Sequence, residues 1–112
     1  MIENTNYIIY VKSFVKEVSL DKMEKLNRKL QEGVYKGFKD MKIVYEDECL
    51  DIEADDYIST YEDAEKFVKE LSKVVIDGYL DIYFTSYNIE ENFGYRIYPN
   101  RIRELRWECG EI

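Results

Sequence analysis

Two segments of the chain share one pattern, a strand followed by a capped helix and a second strand, and this repetition limits the fold more than any other feature. In the first segment, residues 7–15 are β-branched or aromatic on both faces, which predicts an interior strand. Ser19 is placed to cap a helix that runs to about residue 31, and Gly33 to end it. Residues 41–45 predict the strand that follows.

The second segment begins with the cleanest alternation in the chain. From residue 50 to residue 55 apolar side chains alternate with carboxylates, so one side of this strand is expected to be buried and the other exposed. A capping box at residues 59–62 predicts the next helix. Five apolar residues of that helix fall at helical spacing: Ala64, Phe67, Val68, Leu71 and Val75.

Gly78 is expected to end this helical segment, and residues 79–87 predict a fourth strand. Its apolar side is formed by Leu80, Ile82 and Phe84, opposite a side formed by Asp81, Tyr83 and Thr85. After a polar loop at residues 88–92, residues 94–98 and 102–108 predict a hairpin that turns at Pro99 and Asn100. The expected core includes seven of these residues: Leu50, Ile52, Phe67, Leu71, Leu80, Ile82 and Phe84.

This order of elements predicts an α+β fold of the ferredoxin-like kind, a double βαβ unit with a C-terminal β-hairpin added. In that plan both helices lie on one face of an antiparallel sheet, and each helix needs only one apolar stripe, as found here. The chain has 112 residues, the usual size of one domain, so residues 1–112 are expected to form a single α+β domain.

Composition excludes several classes of protein. No apolar run approaches the roughly 20 residues of a membrane span, and the first residues lack a basic region and a long apolar core, so no secretory signal is expected. The two cysteines, Cys49 and Cys109, lie far apart, and the chain has no histidine. Reduced thiols, a cytoplasmic location, and neither metal nor cofactor are therefore expected.

Negative charge is concentrated in one part of the chain. The net charge is −8, yet residues 43–65 hold ten acidic residues and no basic ones. Acidic side chains near a helix start stabilise it, which accounts for Glu62 and Asp63. It does not account for seven carboxylates between Glu46 and Asp56, because like charges on one strand face repel one another. A solvated face and a docking surface for a basic partner explain this cluster about equally well.

Two tyrosines stand beside the acidic block, Tyr57 before the second helix and Tyr61 at its start. Tyrosine is common at interfaces, although aromatic residues on strands more often serve packing. The predicted partner-binding residues are therefore the acidic block and these tyrosines: Glu46, Asp47, Glu48, Asp51, Glu53, Asp55, Asp56, Tyr57, Tyr61 and Glu62.

Other chemistry is less well supported. Four arginines of the terminal hairpin lie among aromatic residues, a combination that binds single-stranded nucleic acid in some proteins. The negative net charge disfavours this, and pairing of the arginines with Glu104, Glu108 or the acidic block is expected instead. A hard cation at residues 51–56 is conceivable, but the glycine and distal glutamate of a calcium loop are missing. No catalytic motif is present, so no enzyme is expected.

The leading hypothesis is a small acidic inhibitor that blocks a basic, nucleic-acid-handling protein in a bacterium or phage, through partial mimicry of nucleic acid. Toxin-immunity and phage anti-defence proteins, including anti-CRISPR inhibitors, are proteins of this type. The alternative is a ferredoxin-like regulatory domain that binds a small ligand and dimerises through its sheet. A third, weaker candidate is a small enzyme.

Overall fold

The computed structural model describes residues 8–35, 38, 41–53, 64–85 and 92–105. It contains two helices and six strands within these residues. In chain order they are β1 (Ile8–Val18), α1 (Leu20–Gln31), β2 (Lys42–Glu46), β3 (Cys49–Glu53), α2 (Ala64–Ser72), β4 (Val75–Thr85), β5 (Phe93–Tyr98) and β6 (Arg101–Leu105).

Hydrogen bonding divides the six strands between two antiparallel sheets. Four strands form one sheet in the order β1-β4-β5-β6, and β2 and β3 form a separate two-stranded sheet. In the larger sheet Phe14 lies opposite Tyr79, and Leu80 lies opposite Ile97. The predicted α+β class, with a mostly antiparallel sheet and two helices, is confirmed.

The ferredoxin-like order itself is not confirmed by this pairing, because the described strands do not join in one ladder. The small sheet nevertheless lies against β1. The backbone N–H of Leu50 donates a hydrogen bond to Ser13 Oγ at 3.1 Å, and the Tyr45 hydroxyl donates one to the carbonyl of Lys16 at 3.1 Å. Side chains of β1 and β2 therefore hold the two sheets together.

One apolar cluster connects the helices with the inner side of the four-stranded sheet. At its centre the ring of Phe67 lies 5.9 Å from the ring of Tyr35 and 5.3 Å from that of Phe38. All seven predicted core residues are buried, as expected from the alternation of the strands and the stripe of α2: Leu50, Ile52, Phe67, Leu71, Leu80, Ile82 and Phe84.

The limits of α1 agree with the local sequence signals. The Ser19 hydroxyl accepts a hydrogen bond from the backbone N–H of Lys22, which satisfies one of the free donors at the helix start. Gly33 follows the helix with a φ of +78°, a backbone conformation that is unfavourable for residues with a Cβ. The predicted hairpin turn at Pro99 and Asn100 is also present, between β5 and β6.

The end of α2 was predicted wrongly. Val75 is not the last residue of the helical stripe but the first residue of β4, where it lies opposite Val18. Gly78 lies inside β4 rather than after a helix. It lies opposite Val15 beside a β-bulge, with a φ of +92°, and a Cβ there would lie 2.2 Å from the carbonyl oxygen of Phe14. The bulge therefore requires this glycine. The predicted helix start at residues 59–62 lies outside the described residues.

Candidate functional site

The small sheet forms a hairpin with an acidic outer surface. We call it the acidic hairpin, defined by five carboxylates that the structure describes, all of them exposed: Glu46, Asp47, Glu48, Asp51 and Glu53. Along β3 the burial alternates as predicted, because Leu50 and Ile52 enter the core while Asp51 and Glu53 point outward. The hairpin thus anchors its carboxylates with the apolar residues between them.

The turn of the acidic hairpin holds Glu48 in a conformation that does not suit it well. Asp47 has a φ of 53° and Glu48 a φ of 60°, so both lie in the left-handed region. A two-residue hairpin turn with this geometry favours Asn, Asp or Gly, so Asp47 is tolerated, whereas a residue with a long side chain costs roughly 1–2 kcal/mol there. Glu48 therefore occupies its position against the preference of the backbone.

The carboxylates of the acidic hairpin are not neutralised by ion pairs with other described residues. Asp51 Oδ1 accepts a hydrogen bond from the adjacent backbone N–H of Ile52 at 2.8 Å. Lys42 is the one basic residue on the outer side of this small sheet within the described part, directly opposite Glu53. The acidic hairpin therefore presents five carboxylates beside a single ammonium group.

Of the ten predicted partner-binding residues, the structure brings the first five together on the acidic hairpin. The other five lie outside the described residues: Asp55, Asp56, Tyr57, Tyr61 and Glu62.

Cys49, at the start of β3, is an exposed free thiol, and Cys109 also lies outside the described residues. Reduction of both cysteines remains a prediction.

A second surface was not predicted from the sequence. The outer side of the four-stranded sheet, the side opposite the core, is not covered by any described helix or strand. Here β1 exposes Ile8, Tyr10 and Phe14, with 46%, 60% and 48% of each residue accessible to solvent. The expectation that β1 has two covered faces is therefore wrong for the described structure, because the buried cluster that includes both helices lies on the opposite side.

Side chains on this outer side form three rows that cross the strands. An aromatic row runs over β1, β4 and β5 through Phe14, Tyr79 and Tyr98, with ring centroids 4.8 Å and 6.2 Å apart. A charged row lies next to it, formed by Lys12, Asp81, Arg96 and Arg103. A further row contains Tyr10 and Tyr83, and the Tyr83 ring lies over Gly94. We call these rows together the aromatic sheet face.

An ion pair lies at the centre of the aromatic sheet face. Asp81 is only 3% exposed, although its strand alternation predicted a polar outer position. Arg96 reaches it from β5 with two contacts, Nε to Oδ1 at 2.7 Å and Nη2 to Oδ2 at 2.9 Å, and its guanidinium lies 4.7 Å from the centre of the Tyr79 ring. The hydrogen bonds that Arg96 donates to Asp81 raise the pKa of Arg96 above its usual value.

The expected pairing of the hairpin arginines with Glu104 or the acidic block is not found among the described residues, and Arg106 and Glu108 lie outside them. Glu104 lies opposite Tyr95 on the other side of the sheet from Arg96 and Arg103, because side chains alternate along β5 and β6. Arg101 instead lies over the Tyr98 ring, 4.1 Å from its centre.

Burial raises the pKa of the Tyr83 phenol on this face, and the charge of Asp81 adds to the effect.

The two helices border a groove of about 240 Å³ that is lined by four lysines together with Leu26 and Glu70: Lys22, Lys25, Lys29 and Lys73. Most of its ammonium groups already have a partner. Lys25 pairs with Asp21 at 3.4 Å, and Lys29 and Lys73 share Glu70 at 3.7 Å and 3.1 Å. The groove is therefore a mixed-charge surface and not a concentrated anion site.

No family model matches the chain, and neither a curated protein nor a solved structure shows significant similarity to it. Among the described residues, no group of three potential ligands is arranged to hold a metal ion. Neither described helix has the length and apolar character needed to cross a membrane.

Proposed function

We propose that this protein is a small protein-binding inhibitor that acts in the cytoplasm and blocks a basic, nucleic-acid-handling partner with its acidic hairpin. The partner class comprises toxin nucleases, in which case the chain is an immunity protein, and CRISPR or restriction effectors, in which case it is an anti-defence protein. On this proposal the chain has no catalytic role, and its effect follows from occupying the surface that the partner uses for nucleic acid.

The observation that carries this proposal is the conflict between the acidic hairpin and its own stability. Five carboxylates lie close together with no ion pair to another described residue, and one of them, Glu48, occupies a turn position whose φ favours Gly, Asn or Asp. Strain of this kind is concentrated at functional positions, where binding rather than folding determines the residue. A merely soluble surface needs neither feature.

Electrostatics indicate how such a hairpin would work. A patch of one charge accelerates the encounter with an oppositely charged surface and fixes the orientation of the complex more than it adds affinity. Asp51 and Glu53 are two residues apart on a strand, about 6.6 Å, whereas one DNA strand carries a charge about every 3.4 Å along its axis. Mimicry therefore needs a second row of charge, which Glu46 and the turn residues Asp47 and Glu48 supply beside β3.

The proposal also concerns the strand order of the fold. We propose that the acidic hairpin lies at the β1 edge in the strand order of a ferredoxin-like double βαβ unit, with β5 and β6 added beyond β4. The hydrogen bond from Leu50 to Ser13 and the contact of β3 with β1 support this arrangement.

A ligand-binding dimer is the second candidate, and the observation in its favour is the aromatic sheet face, which no described helix or strand covers. An isologous dimer through this face would bring the charged rows of two copies together. Each row has three cations, Lys12, Arg96 and Arg103, against one carboxylate, so the two copies would repel each other. This arrangement makes the dimer the weaker candidate.

Inhibition assays test the proposal directly. The protein is added to purified toxin nucleases and to CRISPR and restriction effectors, and cleavage of their substrates is measured at about 50 mM and 200 mM salt. We expect inhibition of at least one basic member of this panel, and a loss of potency at the higher salt, because charge attraction is screened. Inhibition that does not respond to salt would contradict the role of the acidic hairpin, and a response to a small ligand would favour the regulatory domain.

A further inference from the structure

The aromatic sheet face has a local charge opposite to that of the whole chain. The net charge is −8, but among the described residues the part of this face that all four strands form has four cations, Lys12, Arg96, Arg101 and Arg103, and one carboxylate, Asp81. Glu17 and Asp77, the next carboxylates along these strands, lie beyond the β-bulge. An anion that approaches this side of the sheet therefore meets a basic surface.

The arrangement of the rows indicates a second property of the ligand, which is an alternation of flat groups and anionic links. The charged row lies between two aromatic rows, and consecutive rows are two residues apart along each strand, about 6.6 Å. Exposed rings are platforms for flat π-systems, and the cations between them are placed to contact the anionic links of a chain of such groups. Single-stranded nucleic acid has this alternation of bases and phosphates, and proteins bind it without sequence preference by stacking on aromatic side chains along a basic track.

We propose that the aromatic sheet face binds single-stranded nucleic acid, with bases stacked on Tyr10 and Phe14 and phosphates held by Arg103, Arg101 and Lys12. The objection from net charge does not apply to this face, because the acidic hairpin belongs to the other sheet. The negative charge of Asp81 does not cancel the positive charge of this face either. It is buried and bonded to Arg96, which it holds beside the Tyr79 ring.

Charge selects this occupant over a second copy of the chain. Two copies that paired through this face would bring like charges together, whereas nucleic acid complements them. Shape selects single strands over duplexes. Flat rings on an open sheet stack only on bases that are exposed, and the bases of a duplex are stacked on one another.

The test uses fluorescence anisotropy with labelled oligothymidine and oligouridine of about 15 nucleotides, a length close to that bound by single-strand-binding domains. Wild-type protein should bind both probes with an affinity that falls as salt rises, and should bind a duplex of the same length more weakly. Tyr10→Ala/Phe14→Ala should weaken binding at least about tenfold, since stacking is lost on two rings. Arg103→Glu should weaken binding and reduce its salt dependence.

A matched control removes exposed apolar side chains elsewhere. Leu20 and Val34 are 61% and 54% exposed at the two ends of the α1 region, so Leu20→Ala/Val34→Ala should leave oligonucleotide affinity unchanged. Charge reversal on the acidic hairpin, Asp51→Lys/Glu53→Lys, should not weaken it either, which separates this proposal from the inhibitor proposal.

Three results would overturn the inference. One is no binding of either probe at protein concentrations up to about 100 μM, the weak end of non-specific binding. Another is equal loss of affinity in both double alanine variants. The third is a wild-type dimer, seen by sedimentation, that Tyr10→Ala/Phe14→Ala converts to monomers without any oligonucleotide binding, which would assign the face to self-association.

Discussion

The acidic hairpin of β2 and β3 and the basic hairpin of β5 and β6 have the same architecture but opposite chemistry. Each turns through two residues, and each rests its inner side on the same core. In the basic hairpin the turn residues suit their positions, because Pro99 begins the turn and Asn100, with a φ of 60°, tolerates the left-handed region. In the acidic hairpin Glu48 occupies that region without such tolerance.

Charge is also handled differently in the two hairpins. Arg96 of the basic hairpin has a buried partner in Asp81, whereas the carboxylates of the acidic hairpin have no ion-pair partner among the described residues. The turn residues and the central ion pair of the basic hairpin therefore suit their positions, whereas the acidic hairpin departs from local preference at Glu48 and in its charge, which no described residue pairs. Departures of this kind are expected where function determines the residue.

The largest effect should come from the core that both hairpins share. Phe67 is fully buried between Tyr35 and Phe38, and Phe67→Ala should lower the free energy of unfolding by about 3–5 kcal/mol, as truncation of large core aromatics does. Chemical denaturation measures this value. An unchanged transition midpoint would show that the proposed inner face of α2 is wrong.

The next test compares one carboxylate from each surface. Asp81→Asn removes the charge of a carboxylate that is buried and leaves one of its two contacts with the partly exposed Arg96 without an acceptor, so it should lower stability by about 1–3 kcal/mol. Asp51→Asn, the same chemical change at an exposed position, should alter stability by less than about 0.5 kcal/mol. Thermal unfolding of the two variants provides the measurement. Equal losses would mean that the two surfaces do not differ in how they satisfy charge.

A smaller effect should separate the two turns. Glycine adopts positive φ at no steric cost, so Glu48→Gly should raise the free energy of unfolding by about 0.5–1 kcal/mol. Asn100→Gly should change it by only a few tenths of a kcal/mol, since Asn already tolerates this conformation. If both substitutions had the same effect in denaturant titrations, the turn of the acidic hairpin would not be strained.

High pH should affect the basic hairpin through Tyr95 on its inner side. Burial, with the charges of Glu65 and Glu104, raises the pKa of Tyr95 from 10.0 to about 12. The unfolded chain loses this proton near pH 10 while the folded chain retains it, so its contribution to stability is complete below pH 10 and is lost between pH 10 and 12. Melting curves of Tyr95→Phe should show a smaller decline over this interval than wild type. An identical decline in the variant and the wild type would show that Tyr95 does not cause the loss of stability at high pH.

Sequence patterns predicted the elements that depend on local rules. The cap at Ser19, the stop at Gly33, the turn at Pro99 and the alternation of β3 each follow from neighbouring residues, and the structure confirms them. Gly78 shows the limit of this approach, because a glycine that ends a helix and one that accommodates a bulge look alike in a sequence.

The candidate sites were predictable to unequal extents. The acidic hairpin is continuous in sequence, so its carboxylates could be grouped before the fold was known. The aromatic sheet face was missed because its parts come from four strands, and the pair of Asp81 and Arg96 requires the register of β4 and β5. Alternation indicated which residues share a side, but not which side the helices cover.

In the proposed function the acidic hairpin contacts the basic partner, and charge reversals at two pairs of positions test this contact. Asp51→Lys/Glu53→Lys removes two carboxylates from the hairpin, and Glu24→Lys/Glu32→Lys makes the same change in net charge at exposed positions around α1. Both variants are compared with wild type for inhibition of the partner at low salt.

We predict that the hairpin variant loses potency by at least about tenfold, because attraction is replaced by repulsion at the contact, while the α1 variant stays within about threefold of wild type. Equal losses in the two variants would show that only the overall charge matters. Full potency in the hairpin variant would contradict the claim outright.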